Sequence, residues 1–174
     1  LQALPSKGGL GLSPQEFGLV NGTVGVIGFL VGGVIGGMLI SRDGLKKWLW
    51  PMTLAITIPN LTYVYLAYVM PENLMLINVC VAIENLGYGF GFSAYMLFMI
   101  YFSQGEHKTS HYALCTGLMA LSMMLPGLFS GALAQAAGYR LFFIIVMISC
   151  LLPFCVASFL KIDANFGKKE REEE

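Results

Sequence analysis

The sequence predicts an all-α integral membrane protein with five transmembrane helices, and three observations carry this prediction. Apolar residues make up 56% of the 174 residues and charged residues only 11%, whereas soluble domains carry about a quarter charged residues. The apolar residues form blocks of about 20 with almost no charge, which is typical of membrane-spanning helices. No segment alternates with period two over the length of a barrel strand, which excludes a transmembrane barrel.

The five predicted spans are separated by short polar or charged stretches. They occupy residues 17–40, 48–70, 74–103, 111–136 and 141–160. Each is long enough to cross a hydrocarbon core of about 30 Å. Residues 1–16 are predicted to form an extracytoplasmic loop and residues 162–174 a polar cytoplasmic tail, which we expect to be frayed. The chain starts at Leu1 without a signal-peptide pattern, and we expect it to be a fragment of a larger protein.

The distribution of basic residues predicts the orientation of the spans. Eight of the ten lysines and arginines lie on one side of the predicted bundle: Arg42, Lys46, Lys47, Lys108, Lys161, Lys168, Lys169 and Arg171. Only Lys7 and Arg140 lie on the other. Because cytoplasmic loops carry the excess of basic residues, the larger set is predicted to face the cytoplasm.

Several classes of function are disfavoured by composition and motif. The formal net charge is zero, so no nucleic-acid partner is predicted. The four cysteines lack metal-type spacing and are interpreted as buried, inert thiols. His107 and His111 have a spacing that zinc could use, but no third ligand accompanies them, so no metal and no cofactor are predicted. The sequence contains no Ser–His–Asp set or phosphate-binding loop, and an enzyme is not predicted.

Glu84 is the strongest candidate for a functional residue. It is the only acidic or basic side chain deep inside a predicted span, about 15 Å along the helix from Leu74. A carboxyl at this depth is costly unless it is paired, hydrated or protonated, so such residues usually have a function. A structural carboxyl hydrogen-bonded to a neighbouring helix is the alternative.

The neighbours of Glu84 favour a polar cavity. Gly87, Tyr88, Gly91 and Tyr95 follow at helical spacing and share its face. They would add two phenols and the gaps that glycines leave. Asn85 is a weaker candidate for a polar group of the same cavity.

Small residues and prolines mark the helix contacts. Glycines recur every three or four residues along the first span: Gly18, Gly22, Gly25, Gly28, Gly32 and Gly36, with Gly33 and Gly37 as a second row. Such a row permits close helix packing, either as a static seam or as a seam that slides during transport. Pro59 and Pro126 lie near the middle of the second and fourth spans. Each removes a helical hydrogen bond and can kink its helix.

The segment from Gly37 to Lys47, GMLISRDGLKK, resembles the cytoplasmic loop signature of the major facilitator superfamily. Gly37, Arg42, Gly44 and Lys46 match that signature, while Ser41 stands where the family usually has an aspartate. The resemblance implies helices eight to twelve of a twelve-helix fold that works by alternating access. The substrate cavity would then lie against the missing amino-terminal helices. Arg42 and Asp43, with Gly44 and Lys46, are predicted to latch the cytoplasmic side.

A narrower resemblance covers most of the chain. The run from Ile83 to Tyr95, IENLGYGFGFSAY, is similar to the AmpG-type muropeptide permeases, and HYAL from His111, Pro126-Gly127 and Gly138-Tyr139 extend the similarity. It implies proton-coupled import of anhydro-muropeptides across the bacterial inner membrane for peptidoglycan recycling, with Glu84, Asn85, Tyr88 and Tyr95 as proton-coupling or substrate-binding residues. Related carriers take acetyl-CoA, so another substrate, such as acetyl-CoA or a sugar, stays open. A channel also stays open.

Overall fold

The computed structural model describes residues 1, 10–69, 71, 73–163 and 166–168, except the side chains of 139 and 140. This part of the chain contains five helices long and apolar enough to cross a membrane, here called spans 1 to 5. They are Pro14–Asp43, Leu45–Val69, Leu74–Phe102, Lys108–Gly138 and Leu141–Phe159. No strand occurs among the described residues, and the predicted all-α membrane fold is confirmed.

Span 1 begins earlier than its apolar block because a polar cap precedes it. The Ser13 hydroxyl accepts a hydrogen bond from the Glu16 backbone N–H at 3.3 Å, and the Ser13 N–H donates to the Glu16 carboxylate at 2.9 Å. This reciprocal pair satisfies donors that a helix start leaves unpaired. A helix of Pro14–Phe17 leads into a π-helical stretch, Gly18–Gly25, and then into an α-helix, Val26–Asp43. Span 1 therefore changes its helical winding inside the apolar block.

Span 1 ends at a glycine turn that leads directly into span 2. Gly44 has φ 91°, a backbone conformation that residues with a side chain rarely adopt. Its N–H donates to the Ile40 carbonyl at 2.7 Å and closes the helix. Span 2 consists of Leu45–Thr57 and Asn60–Val69. The break falls at Pro59, which lacks the N–H that would continue the ladder, so the interruption expected there is present. The helix of span 4 continues through Pro126, where a kink is also expected.

Spans 3 to 5 follow with two different kinds of connection. Span 3 is the continuous helix Leu74–Phe102, capped by the Asn73 side chain, which accepts a hydrogen bond from the Met75 N–H at 2.9 Å. Spans 4 and 5 join in one element, Lys108–Ser149, which bends sharply at Gly138 with φ 75° and ψ 157°. A last helix, Leu152–Phe159, completes span 5.

Span 3 is the centre of the bundle. Its closest packing is against span 1 on one side and span 2 on the other. One buried cluster lies near the start of spans 1 and 3, formed by Val20, Leu66, Ile77, Cys80 and Val81. A second lies at the opposite end and contains Ile40, Leu45, Met52, Ala94 and Ile162. Large apolar side chains are exposed on the outside of every span, as a protein surrounded by lipid requires.

The tail was expected to be frayed, but its described part, residues 161–163 and 166–168, is packed against the bundle. The remainder of the tail, 164–165 and 169–174, lies outside the described residues. Ile162 is 5% exposed and belongs to the second cluster. The Leu45 N–H donates to the Phe166 carbonyl at 2.9 Å, and the Phe166 ring meets Tyr101 edge-on at 4.7 Å between centroids. Ile162 and Phe166 therefore hold the described part of the tail against the end of the bundle where span 1 leads into span 2.

Candidate functional site

Glu84 lies at the contact between spans 2 and 3 and is partly buried. Its Oε2 accepts a hydrogen bond from the Tyr63 hydroxyl at 3.1 Å and a second from Asn85 Nδ2 at 2.9 Å. Two donors on one oxygen offset part of the cost of placing a carboxyl at this depth. Glu84 is therefore held by one donor from span 2 and one from its own span.

Tyr63 connects this group to a third span. Its ring is stacked on Phe143 of span 5 with 5.9 Å between centroids and 8° between planes. Tyr63 sits in the part of span 2 that follows the Pro59 break. The orientation of that short helix therefore affects both the hydrogen bond to Glu84 and the contact with span 5.

Asn85 faces span 1 rather than span 2. Its Nδ2 also donates to the Val81 carbonyl at 2.9 Å within span 3. A side chain built at Gly25 would lie 3.2 Å from this nitrogen, which shows how closely span 1 approaches here. Asn85 thus bridges the Glu84 carboxylate and the interface between spans 1 and 3.

Tyr88 and Tyr95 line a cavity of about 420 Å³ between spans 2, 3, 4 and 5. Thr53 and Thr57 of span 2 and Ser122 of span 4 also contribute to its wall. These three hydroxyls donate to carbonyls of their own helices at 2.7 to 2.9 Å. No acidic or basic side chain is among the described residues of the wall, so the cavity is mainly apolar and aromatic.

Glu84 and Asn85 are not part of the cavity wall, although Tyr88 stands one turn from Glu84. The structure therefore separates the four candidate residues into two neighbouring places. Glu84 and Asn85 form a hydrogen-bonded pair beside Tyr63, whereas Tyr88 and Tyr95 face the cavity together with Phe92. The Phe92 ring lies 5.9 Å from the Tyr88 ring and 6.3 Å from the Tyr95 ring.

The glycines of span 3 admit neighbouring backbones instead of leaving a polar space. A side chain at Gly87 would overlap the Ala55 carbonyl of span 2, and one at Gly89 would overlap the Phe29 carbonyl of span 1. Gly91 meets span 2 at Met52 and Ile56 and also contributes to the cavity wall. The run GYGFGF thus has small residues on both faces because span 3 is held between two helices.

Span 1 uses only part of its predicted glycine row for this contact. Side chains at Gly25, Gly28, Gly32 and Gly36 would all meet span 3. Nothing lies within 4 Å of the position a side chain would take at Gly18, Gly22 or Gly37. Ser93 adds a hydrogen bond of 2.9 Å from its hydroxyl to the Gly33 carbonyl across the same interface.

The predicted gating loop is organised around Asp43. Its carboxylate accepts a hydrogen bond from the Trp48 indole N–H at 3.1 Å and pairs with Lys47 at 3.2 Å and Arg42 at 3.5 Å. All three partners lie within five residues of Asp43, so these contacts shape the turn around Gly44. Lys46 is exposed beside it. A role of this loop as a latch stays a prediction.

Sequence reasoning missed Tyr63 and the aromatic partner that orients it. A tyrosine in an apolar block does not by itself indicate a functional role. The position of Tyr63 opposite Glu84 depends on how spans 2 and 3 pair. His107 and His111 are exposed near the start of span 4. Within the described residues, no group of three histidine, cysteine, aspartate or glutamate side chains is placed to hold a metal ion.

Comparison with known proteins gives one family. Residues 3–174 match the Major Facilitator Superfamily. An uncharacterized protein of Haemophilus influenzae is 26% identical over 140 residues, which cover 77% of this chain and 33% of that protein. No solved structure is a significant match to the chain.

Two further relatives have names that refer to transport. An anhydromuropeptide permease of Escherichia coli K12 is 27% identical over 78% of this chain and 28% of its own length. A Rickettsia prowazekii protein that bears the transporter name AmpG 1 is 24% identical over 90% of this chain and 35% of its own length. The chain spans about a third of the length of the relatives it matches.

Proposed function

The chain belongs to the major facilitator superfamily, and we propose that it forms part of a secondary active transporter that imports anhydro-muropeptides by proton symport. Similarity to the Escherichia coli anhydromuropeptide permease supports the choice of substrate. The five apolar spans support a location in a membrane, for which we propose the bacterial inner membrane. No enzymatic step belongs to this proposal.

The observation that carries the proposed mechanism is the environment of Glu84. Its carboxylate accepts hydrogen bonds from Tyr63 and Asn85 on two sides and lies about 15 Å from the start of span 3. Ionisable groups at this depth commonly mark ion pathways and proton relays. We assign proton coupling to Glu84, with Asn85 as the residue that positions it.

Tyr88 and Tyr95 are the proposed contacts for the uncharged part of the substrate. Both line the 420 Å³ cavity, whose wall is aromatic and apolar with a few hydroxyls. A ligand site typically combines an apolar wall with a small number of polar groups. Charged groups of a muropeptide would then contact helices of the carrier that precede this chain, because transporter sites form where two repeats meet.

The placement of the chain within the carrier is proposed from the resemblance of one loop. The segment around Arg42, Asp43, Gly44 and Lys46 resembles the cytoplasmic loop signature of the superfamily, and we propose spans 1 to 5 as helices eight to twelve. Gly44 then provides the turn, and Asp43 holds the loop through Trp48 and Lys47. The amino-terminal helices of the same protein are the proposed partner of this bundle.

Uptake by the full-length protein in vesicles tests the proposal. An inward proton gradient is imposed, and accumulation of a labelled anhydro-muropeptide is followed. We expect accumulation that requires the gradient and is lost when a protonophore is added. Unlabelled acetyl-CoA and free N-acetylglucosamine serve as competitors. Absence of gradient-dependent accumulation by correctly inserted protein contradicts the proposal. Accumulation that equimolar acetyl-CoA abolishes contradicts the choice of substrate.

A further inference from the structure

Two buried amide atoms without partners lie near the end of the bundle at which spans 1 and 3 begin. Asn21 Nδ2 and Asn78 Oδ1 are buried, and neither has a hydrogen-bond partner within the described chain. The other end of the Asn78 amide is satisfied, because its Nδ2 donates to the Leu74 carbonyl at 2.9 Å. A buried polar atom without a partner costs about 1–3 kcal/mol, so each of these atoms calls for a partner such as water.

The helix register places these two asparagines at the same level of one interface. Spans 1 and 3 run parallel, and a side chain at Gly28 would lie 3.5 Å from the Cβ of Asn85. Asn78 lies seven residues, about two α-helical turns, before Asn85. Asn21 also lies seven residues before Gly28, but most of that interval belongs to the π-helical stretch Gly18–Gly25. The residues that precede them in the chain belong to one buried cluster. We call Asn21 and Asn78 the asparagine pair.

The unpaired atoms of the asparagine pair are complementary. Asn21 presents a donor and Asn78 an acceptor. A water molecule can accept a hydrogen bond from the first and donate one to the second, and a buried water needs two to four such partners. Asn21 also lies within the π-helical stretch Gly18–Gly25, and π-helical turns are frequent at functional sites.

The asparagine pair lies between the end of the bundle and Glu84. At about 1.5 Å per residue, Asn78 is about 6 Å and Glu84 about 15 Å along span 3 from Leu74. Asn85 faces the same interface at Gly25 and donates to the Glu84 carboxylate at 2.9 Å. A line of amides therefore runs from the start of the spans to the carboxyl.

We propose that the asparagine pair holds water between spans 1 and 3 and that this water forms the route by which protons reach Glu84. The inference rests on the proposed proton coupling and adds the path and its residues. The titratable groups near Glu84 in the described chain are Tyr63 of span 2 and, one turn to either side of Glu84 in span 3, Cys80 and Tyr88. The stretch of span 1 that faces span 3 contains no titratable residue, so water and amides form the remainder of the route.

Cysteine accessibility tests whether the route contains water, without requiring transport. In the full-length carrier, all native cysteines, including the four of this chain, are replaced by alanine, and Asn21→Cys and Asn78→Cys are made separately. The control is Val79→Cys, next to Asn78 at the same depth, because Val79 is 47% exposed on the outer surface of the bundle. A membrane-impermeant methanethiosulfonate reagent reacts with the thiolate, which forms in water and is suppressed in apolar surroundings.

We expect the cysteines at positions 21 and 78 to be labelled about tenfold faster than the one at 79, because only they meet water. The reagent is added at the side where spans 1 and 3 begin. Labelling at positions 21 and 78 as slow as at 79 overturns the proposal. Since labelling needs no substrate, a carrier that fails to couple to protons would contradict the proposed function and leave this measurement intact.

Transport by position-78 variants tests whether the water carries protons. Asn78→Leu keeps the branching and number of side-chain heavy atoms and removes the amide, so gradient-driven uptake is expected to fall several-fold while substrate exchange without a gradient is retained. Asn78→Ser, which keeps a polar group and space for water, is expected to preserve gradient-driven uptake. Equal gradient-driven uptake by the wild type and Asn78→Leu contradicts the route. Loss of exchange as well as uptake assigns Asn78 a structural role and also contradicts it.

Discussion

The Tyr63 hydroxyl donates a 3.1 Å hydrogen bond to Oε2 of Glu84 and joins span 2 to span 3. The same Tyr63 ring lies parallel to Phe143 of span 5 at 5.9 Å between centroids. Three spans therefore meet around one phenol. Because this contact combines a polar bond with an aromatic stack, the two contributions can be separated by removing the hydroxyl alone.

Tyr63→Phe should lower the free energy of unfolding by about 1 kcal/mol, the size of one hydrogen bond between membrane helices. The ring stays in place, so the stack on Phe143 is kept. Unfolding of the full-length carrier in mixed micelles measures the change. Tyr65→Phe is the matched control, because Tyr65 is 46% exposed and should shift the free energy by less than about 0.5 kcal/mol. Equal effects of the two substitutions would show that the Tyr63 hydroxyl contributes nothing specific.

Glu84→Gln should preserve the fold and impair gradient-driven uptake. Glutamine keeps the size and most hydrogen bonds of the carboxyl, but it cannot gain or lose a proton. Exchange of substrate without a gradient should therefore fall less than uptake driven by a pH gradient. Both rates are measured in vesicles with the same amount of inserted protein.

Glu106→Gln is the control for that experiment. Glu106 is an exposed acid in the polar stretch between spans 3 and 4, so the same change of charge there should leave both rates at the wild-type level. If Glu84→Gln keeps the wild-type uptake rate and pH profile, Glu84 does not couple protons. The relay would then lie elsewhere in the carrier.

Gly89→Ala should destabilise the bundle by about 1–3 kcal/mol, because an added Cβ would overlap the backbone of Phe29 in span 1. Backbone atoms cannot rotate away as a side chain can, so the two helices must separate. Gly37→Ala is the matched control: nothing lies within 4 Å of its added Cβ, and alanine favours the helix by up to about 1 kcal/mol. Thermal or micelle unfolding compares them, and a Gly89→Ala protein as stable as the wild type would refute the packed seam.

The existence of the five spans could be predicted from sequence because composition alone decides which segments prefer lipid. The interruption at Pro59 was only partly predictable, because a proline removes one N–H but need not end a helix. Pro51 and Pro126 both lie inside continuous helices.

The close approach of span 3 to Gly32 could be predicted in kind, because a row of glycines lets another backbone approach closely. The contact of Gly89 with the Phe29 backbone was not predicted. The sequence could not predict which helix each glycine contacts, because that depends on how the spans pair.

The candidate site could be predicted from sequence only where a single residue was unusual for its surroundings. Glu84 stood out as a lone carboxyl in an apolar span, whereas its donor Tyr63 is 21 positions earlier in the chain. The packed tail was missed for a related reason. The tail is polar on average, which gave no indication that Ile162 and Phe166 are packed. Ile162 belongs to the second buried cluster, and the Phe166 ring contacts the Tyr101 ring.

The last prediction concerns the side of the membrane on which the loop at Arg42–Lys47 and the tail lie. The Leu45 N–H donates to the Phe166 carbonyl at 2.9 Å, so the two segments meet at one end of the bundle. The excess of basic residues there predicts that this end faces the cytoplasm. Single cysteines at Lys46 and Lys168, in a protein without its native cysteines, should both be protected from an impermeant reagent in intact cells. Both should react after the membrane is permeabilised, and labelling of either position in intact cells would overturn this orientation.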